Sequence, residues 1–336
     1  MIAASNKEPG PLTREATGNS GLFRAASRIC GRRGYEMKAL EVNRQITLKN
    51  ILFATDLDVS ARRALPFAVA FSGRYGAKLY AAHVIPQEAY AFARFESVER
   101  ILKEAQDYAS YALNQLIDPL RHRGLRCEAL LGNGDIAEVL REFAQKCAAD
   151  LVVVGTSSRK GLGKVLLGSV AEEIIREARC PVLTVGPHVI AEAYAGVQSI
   201  VCATDFSPVS LRAAEFAVSL AHEYQAHLTL THVVEGILRD SPHLAIKLTE
   251  KRLREMIPSE PELLYEPEVL VEIGPVADRI LGVADQLLAD IIVMGVRGAG
   301  AFAQEASHFG SIAHKVVSLA TCPVLTVGDV QKLEND

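Results

Sequence analysis

One stretch of this chain occurs twice. "ILFATDLDVSARRALPFAVAFSGRYGAKLYAAHVI" (51–85) and "IVCATDFSPVSLRAAEFAVSLAHEYQAHLTLTHVV" (200–234) align without a gap. Further on, "ADLVVVG" in the first half answers "ADIIVMG" in the second, and each half closes on the same heptapeptide, "CPVLTVG", at 180–186 and 322–328. A repeat this long is a whole domain built twice, so the fold must be a unit that closes its own core. The copies are placed at 47–187 and 196–329, joined by a short segment around "HVIAEAYAG". With 336 residues, 49% of them hydrophobic, the chain has material for two such cores.

Within each copy, short β-branched runs alternate with longer amphipathic segments, the pattern of βαβ units around a buried parallel sheet. In the first copy the strands are expected at 50–54, 78–84, 125–131, 151–155 and 181–185. "FESVERILKEAQDYASYALNQLIDPL" repeats apolar residues at helical spacing (Val98, Ile101, Leu102, Ala105, Tyr108), which predicts a long surface helix with one buried stripe. The fold class is therefore α/β: two tandem doubly wound domains, each a five-stranded parallel sheet flanked by helices. Ligands of such sheets sit beyond the carboxyl ends of strands where the strand order reverses.

Other classes are argued against. No apolar run is long enough to span a bilayer, and the start lacks a secretory apolar region, so no membrane partner is expected and the chain is placed in the cytoplasm. The six cysteines form no CxxC pair and no zinc spacing, and are expected to be reduced and mostly buried, without a metal. A net charge of −4 with mixed signs gives no basic face for nucleic acid. Residues 1–46 lie outside both copies. They are expected to be a disordered extension or a translation start placed too far upstream of Met37, because the Gly-Arg-Arg of "GRRGYEM" can be encoded by a purine-rich ribosome-binding stretch.

"GTSSRKGLGKVLLGS" (155–169) follows the apolar run LVVV. Ser158 and Val165 stand where a Walker loop needs glycine and a hydroxyl residue, and the glycine spacing also fails the dinucleotide fingerprint. Four glycines (155, 161, 163, 168) still exceed what a turn requires, and Ser169 opens a helix whose free N–H groups attract anions, with Arg159 and Lys160 adding charge. Ser169-Val-Ala-Glu172 also reads as a capping box, so one hydroxyl has two sufficient explanations, helix cap and phosphate contact.

The ATD after strand one, the HV ending strand two, the glycine-rich segment closing in LLGS and the CPVLTV strand together resemble the universal stress protein family in its tandem form. The resemblance covers about 47–329. It implies a sheet of order 3-2-1-4-5 with ATP, accompanied by magnesium, between the ends of strands one and four. Its phosphate motif, G-x2-G-x9-G followed by Ser or Thr, falls on Gly155, Ser158 in place of the second glycine, Gly168 and Ser169, with Val170 next. In the second copy it falls on Gly295, Gly298, Gly310, Ser311 and Ile312, with a loop two residues longer that carries Glu305 and His308. The resemblance assigns Asp56 and Asp205 to the nucleotide, against the alternative of a purely local turn bond, since Asp58 and Ser207 are expected to cap the helices that follow. It assigns Ala54, Val84, Val154, Ala203, Val233 and Met294 to the adenine pocket, where each is otherwise an ordinary core residue. His83 and His232 read as hydrogen-bonded structural histidines.

With no general base or nucleophile pair in view, the expected function is a stress-response protein holding an adenine nucleotide as a regulatory ligand, at least in the first copy. A non-nucleotide adaptor and a slow ATP-hydrolysing enzyme remain alternatives. In the family the last strands pair across a dimer, so the copies are expected to pair as an intramolecular pseudo-dimer, with a homodimer of chains open.

Overall fold

The computed structural model describes residues 40, 46–58, 62–87, 95–156, 167–191, 196–235, 242–257, 263–296 and 311–328. In the first copy the strands are β1 (Asn50–Ala54), β2 (Lys78–Pro86), β3 (Cys127–Gly134), β4 (Leu151–Gly155) and β5 (Val182–Val185). The helices between them are α1 (Leu65–Tyr75), α2 (Phe95–His122), α3 (Ile136–Lys146) and α4 (Ser169–Glu177). The second copy repeats the order as β6 (Ser199–Ala203), α5 (Pro208–Tyr224), β7 (His227–Val234), α6 (Pro242–Met256), β8 (Glu268–Ile273), α7 (Val276–Gln286), β9 (Ile291–Gly295), α8 (Ser311–Leu319) and β10 (Val324–Val327).

All pairing within a copy is parallel, with the order 3-2-1-4-5 and its duplicate. The two halves meet where β5 and β10 run antiparallel, Leu183 opposite Leu325, which makes one ten-stranded sheet of order β3-β2-β1-β4-β5-β10-β9-β6-β7-β8.

Period-two alternation sends each strand's side chains into two cores. Ile51, Phe53, Val153 and Leu183 join Phe67 and Phe71 of α1 and Leu113 and Ile117 of α2 on one face. Leu52, Ala54, Val152 and Val182 join Leu140 of α3 and Ile174 and Ile175 of α4 on the other. Each core continues across the β5–β10 junction into the second copy. Here the repeated "AD" before strand four acquires its reason. Asp150 Oδ2 accepts the backbone N–H groups of Lys49 (2.7 Å) and Asn50 (2.9 Å). Asp290 does the same for Gln198 (2.7 Å) and Ser199 (2.9 Å), so one carboxylate fixes the start of each central strand.

Several local expectations change. Ser169 is not the cap of α4: Gly168 is, with φ −64° and ψ 144°, and its carbonyl takes the N–H of Glu172 at 3.0 Å. The helix thus begins one residue earlier than the Ser/Glu pattern suggests, and Ser169 occupies its first turn. Asp58 does not cap α1 either, because that helix starts at Leu65 after Ala64 and a proline supplies its first-turn geometry. Ser207 does cap α5, its hydroxyl accepting from the Ser210 N–H. Leu40, within the stretch expected to lack fixed structure, is buried and donates its N–H to the Met256 carbonyl at 3.0 Å. The five described cysteines are free thiols; Cys202 and Cys322 are buried and the other three half-buried, fewer buried than expected. Among the described residues no helix is long and apolar enough to cross a membrane.

Candidate functional site

The strand order reverses between β1 and β4, since β1 leads outward to β2 and β3 on one side while β4 and β5 lie on the other. The crevice therefore opens beyond Ala54 and Val154, which are register partners. Its counterpart opens beyond Ala203 and Met294, also partners. Ala54 and Ala203 end their strands, Val84, Val154, Val233 and Met294 lie one or two residues before the ends of theirs, and all six are buried in the core on the α3, α4, α7 and α8 face.

Just past β1 the backbone is pinned by four bonds. The Thr55 N–H extends the ladder to the Ala82 carbonyl (2.9 Å), and Thr55 Oγ1 accepts from the Leu57 N–H (3.0 Å). Asp56 Oδ1 accepts from the Asp58 N–H (3.0 Å), and His83 Nδ1–H donates to the Thr55 carbonyl (2.9 Å). The second copy reproduces every one. Thr204 N–H reaches Thr231 O (2.9 Å), the Phe206 N–H reaches Thr204 Oγ1 (3.0 Å), the Ser207 N–H reaches Asp205 Oδ1 (2.9 Å), and His232 Nδ1–H reaches Thr204 O (2.8 Å). The turn forces a left-handed residue in each copy, Leu57 at φ 64° and Phe206 at φ 61°. Neither side chain favours that region, which costs about 1–2 kcal/mol per residue. Strain of this kind collects at ligand sites and persists only where its surroundings over-determine it.

The turn presents Asp56 and Asp205 exposed at the crevice with one carboxylate oxygen engaged in the turn itself. The local bond weighed against ligand contact is thus present in both copies. His83 and His232 have the hydrogen-bonded roles expected for them, with Nδ1 as the protonated nitrogen. Burial lowers the pKa of His232, so its ring is neutral near pH 7 and presents Nε2 as an acceptor. The signal for the histidines and threonines was the repetition of "ATD" and "HV" themselves, but the left-handed positions carried none, because leucine and phenylalanine do not announce positive φ.

In the first copy Gly168 and Ser169, both exposed, stand at the start of α4, followed by half-buried Val170. Among the described residues no side chain caps that helix end. In the second copy Ser311 begins α8 and Ile312 is exposed. Ser158, Gly298 and Gly310, with the loop charges Arg159, Lys160, Glu305 and His308, lie outside the described residues. Gly155 and Gly295 end β4 and β9. At Gly295 a Cβ would come within 2.7 Å of the Ser210 backbone nitrogen, so the start of α5 packed against the strand is itself a reason for that glycine.

Two cavities lie away from the crevice. One of about 1450 Å³ runs along the amino edge of β1 and β2 and the end of α5, and one of about 380 Å³ lies under α3 and α4. Among the described residues no three His, Cys, Asp or Glu side chains are grouped to hold a metal ion. Burial pushes the Cys180, Cys202 and Cys322 thiols up to about 12, which leaves them protonated and poor nucleophiles.

The sequence model of the universal stress protein family matches residues 47–186 and again 196–328. A universal stress protein of Methanocaldococcus jannaschii is 31% identical over 155 residues, 45% of this chain and 89% of its own. One of Thermus aquaticus is 34% identical over 140 residues, 41% of this chain and 98% of its own. Among solved structures, a universal stress protein of Archaeoglobus fulgidus superposes with a TM-score of 0.65, covering 83% of this chain and 98% of its own at 21% identity, which bears on the fold. Another solved universal stress protein, in complex with cAMP, is 28% identical, covers 42% of this chain and 98% of its own, and has a TM-score of 0.28. With its family model matched twice, its strand order duplicated and its crevice turn built the same way in both halves, the chain belongs to the universal stress protein family.

Proposed function

We propose that this chain is a cytoplasmic stress-response protein whose first domain, 47–187, binds ATP as a regulatory ligand, with the second domain, 196–329, as its structural twin. The observation that carries the reading is the strained Thr55–Asp58 turn at the switch point of the sheet, beyond the paired ends of β1 and β4. An anion at the start of α4 would meet the leading helix N–H groups and the positive end of the helix dipole, and Ser169, which is not the cap, would offer its hydroxyl. Asp56, which repels phosphate, suits a ribose or an amino group instead. Ala54, Val84 and Val154 supply an apolar floor for a base. Magnesium would arrive on the phosphates. These residues would hold a nucleotide, and occupancy rather than turnover is the proposed output. The β5–β10 junction supports reading the two domains as an intramolecular pseudo-dimer through which occupancy is felt.

The test is calorimetric titration of nucleotide-stripped protein with Mg-ATP. One or two sites per chain are expected, and Gly168→Val with Asp56→Ala should remove the first-domain site while circular dichroism stays unchanged. Retained affinity in that variant would sink the reading. The adaptor alternative draws on Ser158, which replaces a motif glycine, and on Gly295, which packing already explains. Absence of any ATP binding at cellular concentrations would favour it.

A further inference from the structure

The ungapped repeat pairs every residue of α1 with one of α5: Phe71 with Leu220, Arg74 with Glu223 and Tyr75 with Tyr224. These same helix ends meet between the domains. The Arg74 guanidinium donates to the Glu223 carbonyl and lies over the Tyr224 ring, 4.9 Å from its centroid. Phe71 meets Tyr224 at 6.0 Å between ring centroids. Position 74 therefore touches its own equivalent, which is the signature of a residue on a two-fold axis. The pseudo-two-fold that relates antiparallel β5 and β10 passes through this pair.

A residue on such an axis faces itself in a homotypic pair. Two copies of the first domain would set Arg74 against Arg74, and two copies of the second would set Glu223 against Glu223. Only first against second puts a guanidinium and a carboxylate at the axis position, where the direct contact of Arg74 is to the Glu223 carbonyl. The rest of the contact is nearly self-compatible, with tyrosine at both 75 and 224, so the axis position is where the repeats diverge in sign. We propose that Arg74 and Glu223 make the domain junction heterotypic, selecting a first domain against a second and rejecting like pairs by charge repulsion. The Glu223 carboxylate also accepts the Ile46 N–H and, after burial, is the next cause raising the Tyr75 hydroxyl pKa, so a negative charge belongs to this spot on the second domain. Arg74 is exposed and Glu223 half-buried, so the pair contributes little raw stability; its effect is on which partner is tolerated. The chain that supplies the partner is set by connectivity. Residues 186–198 lead from β5 to β6, three strand spacings away, about 14 Å, and the antiparallel arrangement puts the end of one and the start of the other on the same edge of the sheet. A short tether of that kind gives an effective concentration that a second chain does not match.

The inference rests on the intramolecular pairing proposed above. Hydrogen exchange of the full-length chain reads both. In the wild type the β5 and β10 amides should be strongly protected, and rapid exchange there would fail the pairing itself. Arg74→Glu and Glu223→Arg should each lower that protection about tenfold at low salt and less at high salt. The double reversal should restore most of it. Glu223→Gln, which keeps an acceptor for Ile46, should fall between wild type and Glu223→Arg. The proposal is overturned if the single reversals match wild type, if Glu223→Gln equals Glu223→Arg, or if the double reversal is as poorly protected as the worse single.

Discussion

The crevice turns of the two domains share a backbone and differ in what holds their side chains. In the first, Leu57 is half-buried against the core. In the second, Phe206 is buried between the Arg252 guanidinium, 4.0 Å from its ring centroid, and the His232 ring at 4.7 Å, and Thr204 Oγ1 has an added partner in Ser210 Oγ at 3.0 Å. The hydrogen-bond scheme has thus been kept where the packing around it has changed. The second turn is the tighter of the two and has a cation beside it, so the two crevices are not interchangeable.

The largest expected effect tests whether the motif glycines are there for ligand or for packing. A methyl at Gly295 must displace the α5 backbone at Ser210, so Gly295→Ala should destabilise the chain by about 2–3 kcal/mol. A methyl at Gly168 meets nothing within 4 Å and the φ of −64° suits any residue, so Gly168→Ala should cost under about 1 kcal/mol, the ordinary loss of a good cap. Denaturant titration of both variants compares them. Equal costs would remove the distinction between a packing glycine and an open one.

Next comes the turn itself. Thr55→Val strands the Leu57 N–H and should cost about 1 kcal/mol, while Thr204→Val strands the buried Phe206 N–H and breaks the Ser210 contact, for about 2 kcal/mol. A reversed order would show that the second turn owes its form to Phe206 packing alone.

These contrasts also mark what the sequence makes legible. The duplicated fold was readable because an ungapped repeat and period-two apolar runs are local patterns, and the strands fall within a few residues of their expected limits. The strand order followed from the resemblance and not from periodicity. The cap of α4 stayed open in the sequence because Ser169 and Gly168 are one residue apart and only the dihedral of Gly168 decides between them. The close approach at Gly295 comes from a helix more than seventy residues earlier in the chain, and the packing of Leu40 on Met256 is more distant still. The positive φ of Leu57 and Phe206 is imposed by Thr and Asp side chains next door, so the residue under strain is not the one that encodes it.

The smallest expected effect uses pH to separate the turns. His232 sits against Phe206 with Arg252 nearby; burial, then the Arg252 charge, lower its pKa, opposed by its bond to Thr204 O and by Asp205. Its folded pKa lies below the unfolded value of about 6.5, so on acidification the unfolded chain takes up the proton first. The stability tied to a neutral His232 is therefore complete above about pH 6.5 and declines as pH falls from there towards the folded pKa. His232→Gln, which cannot titrate, should show a shallower loss of unfolding free energy between pH 7.5 and 5.5 than the wild type. Carboxylates contribute equally to both chains, so the difference between the two slopes isolates the ring. Identical slopes would mean that the ring accepts a proton without cost in the folded state, and that Arg252 and Phe206 leave the second crevice as open to water as the first.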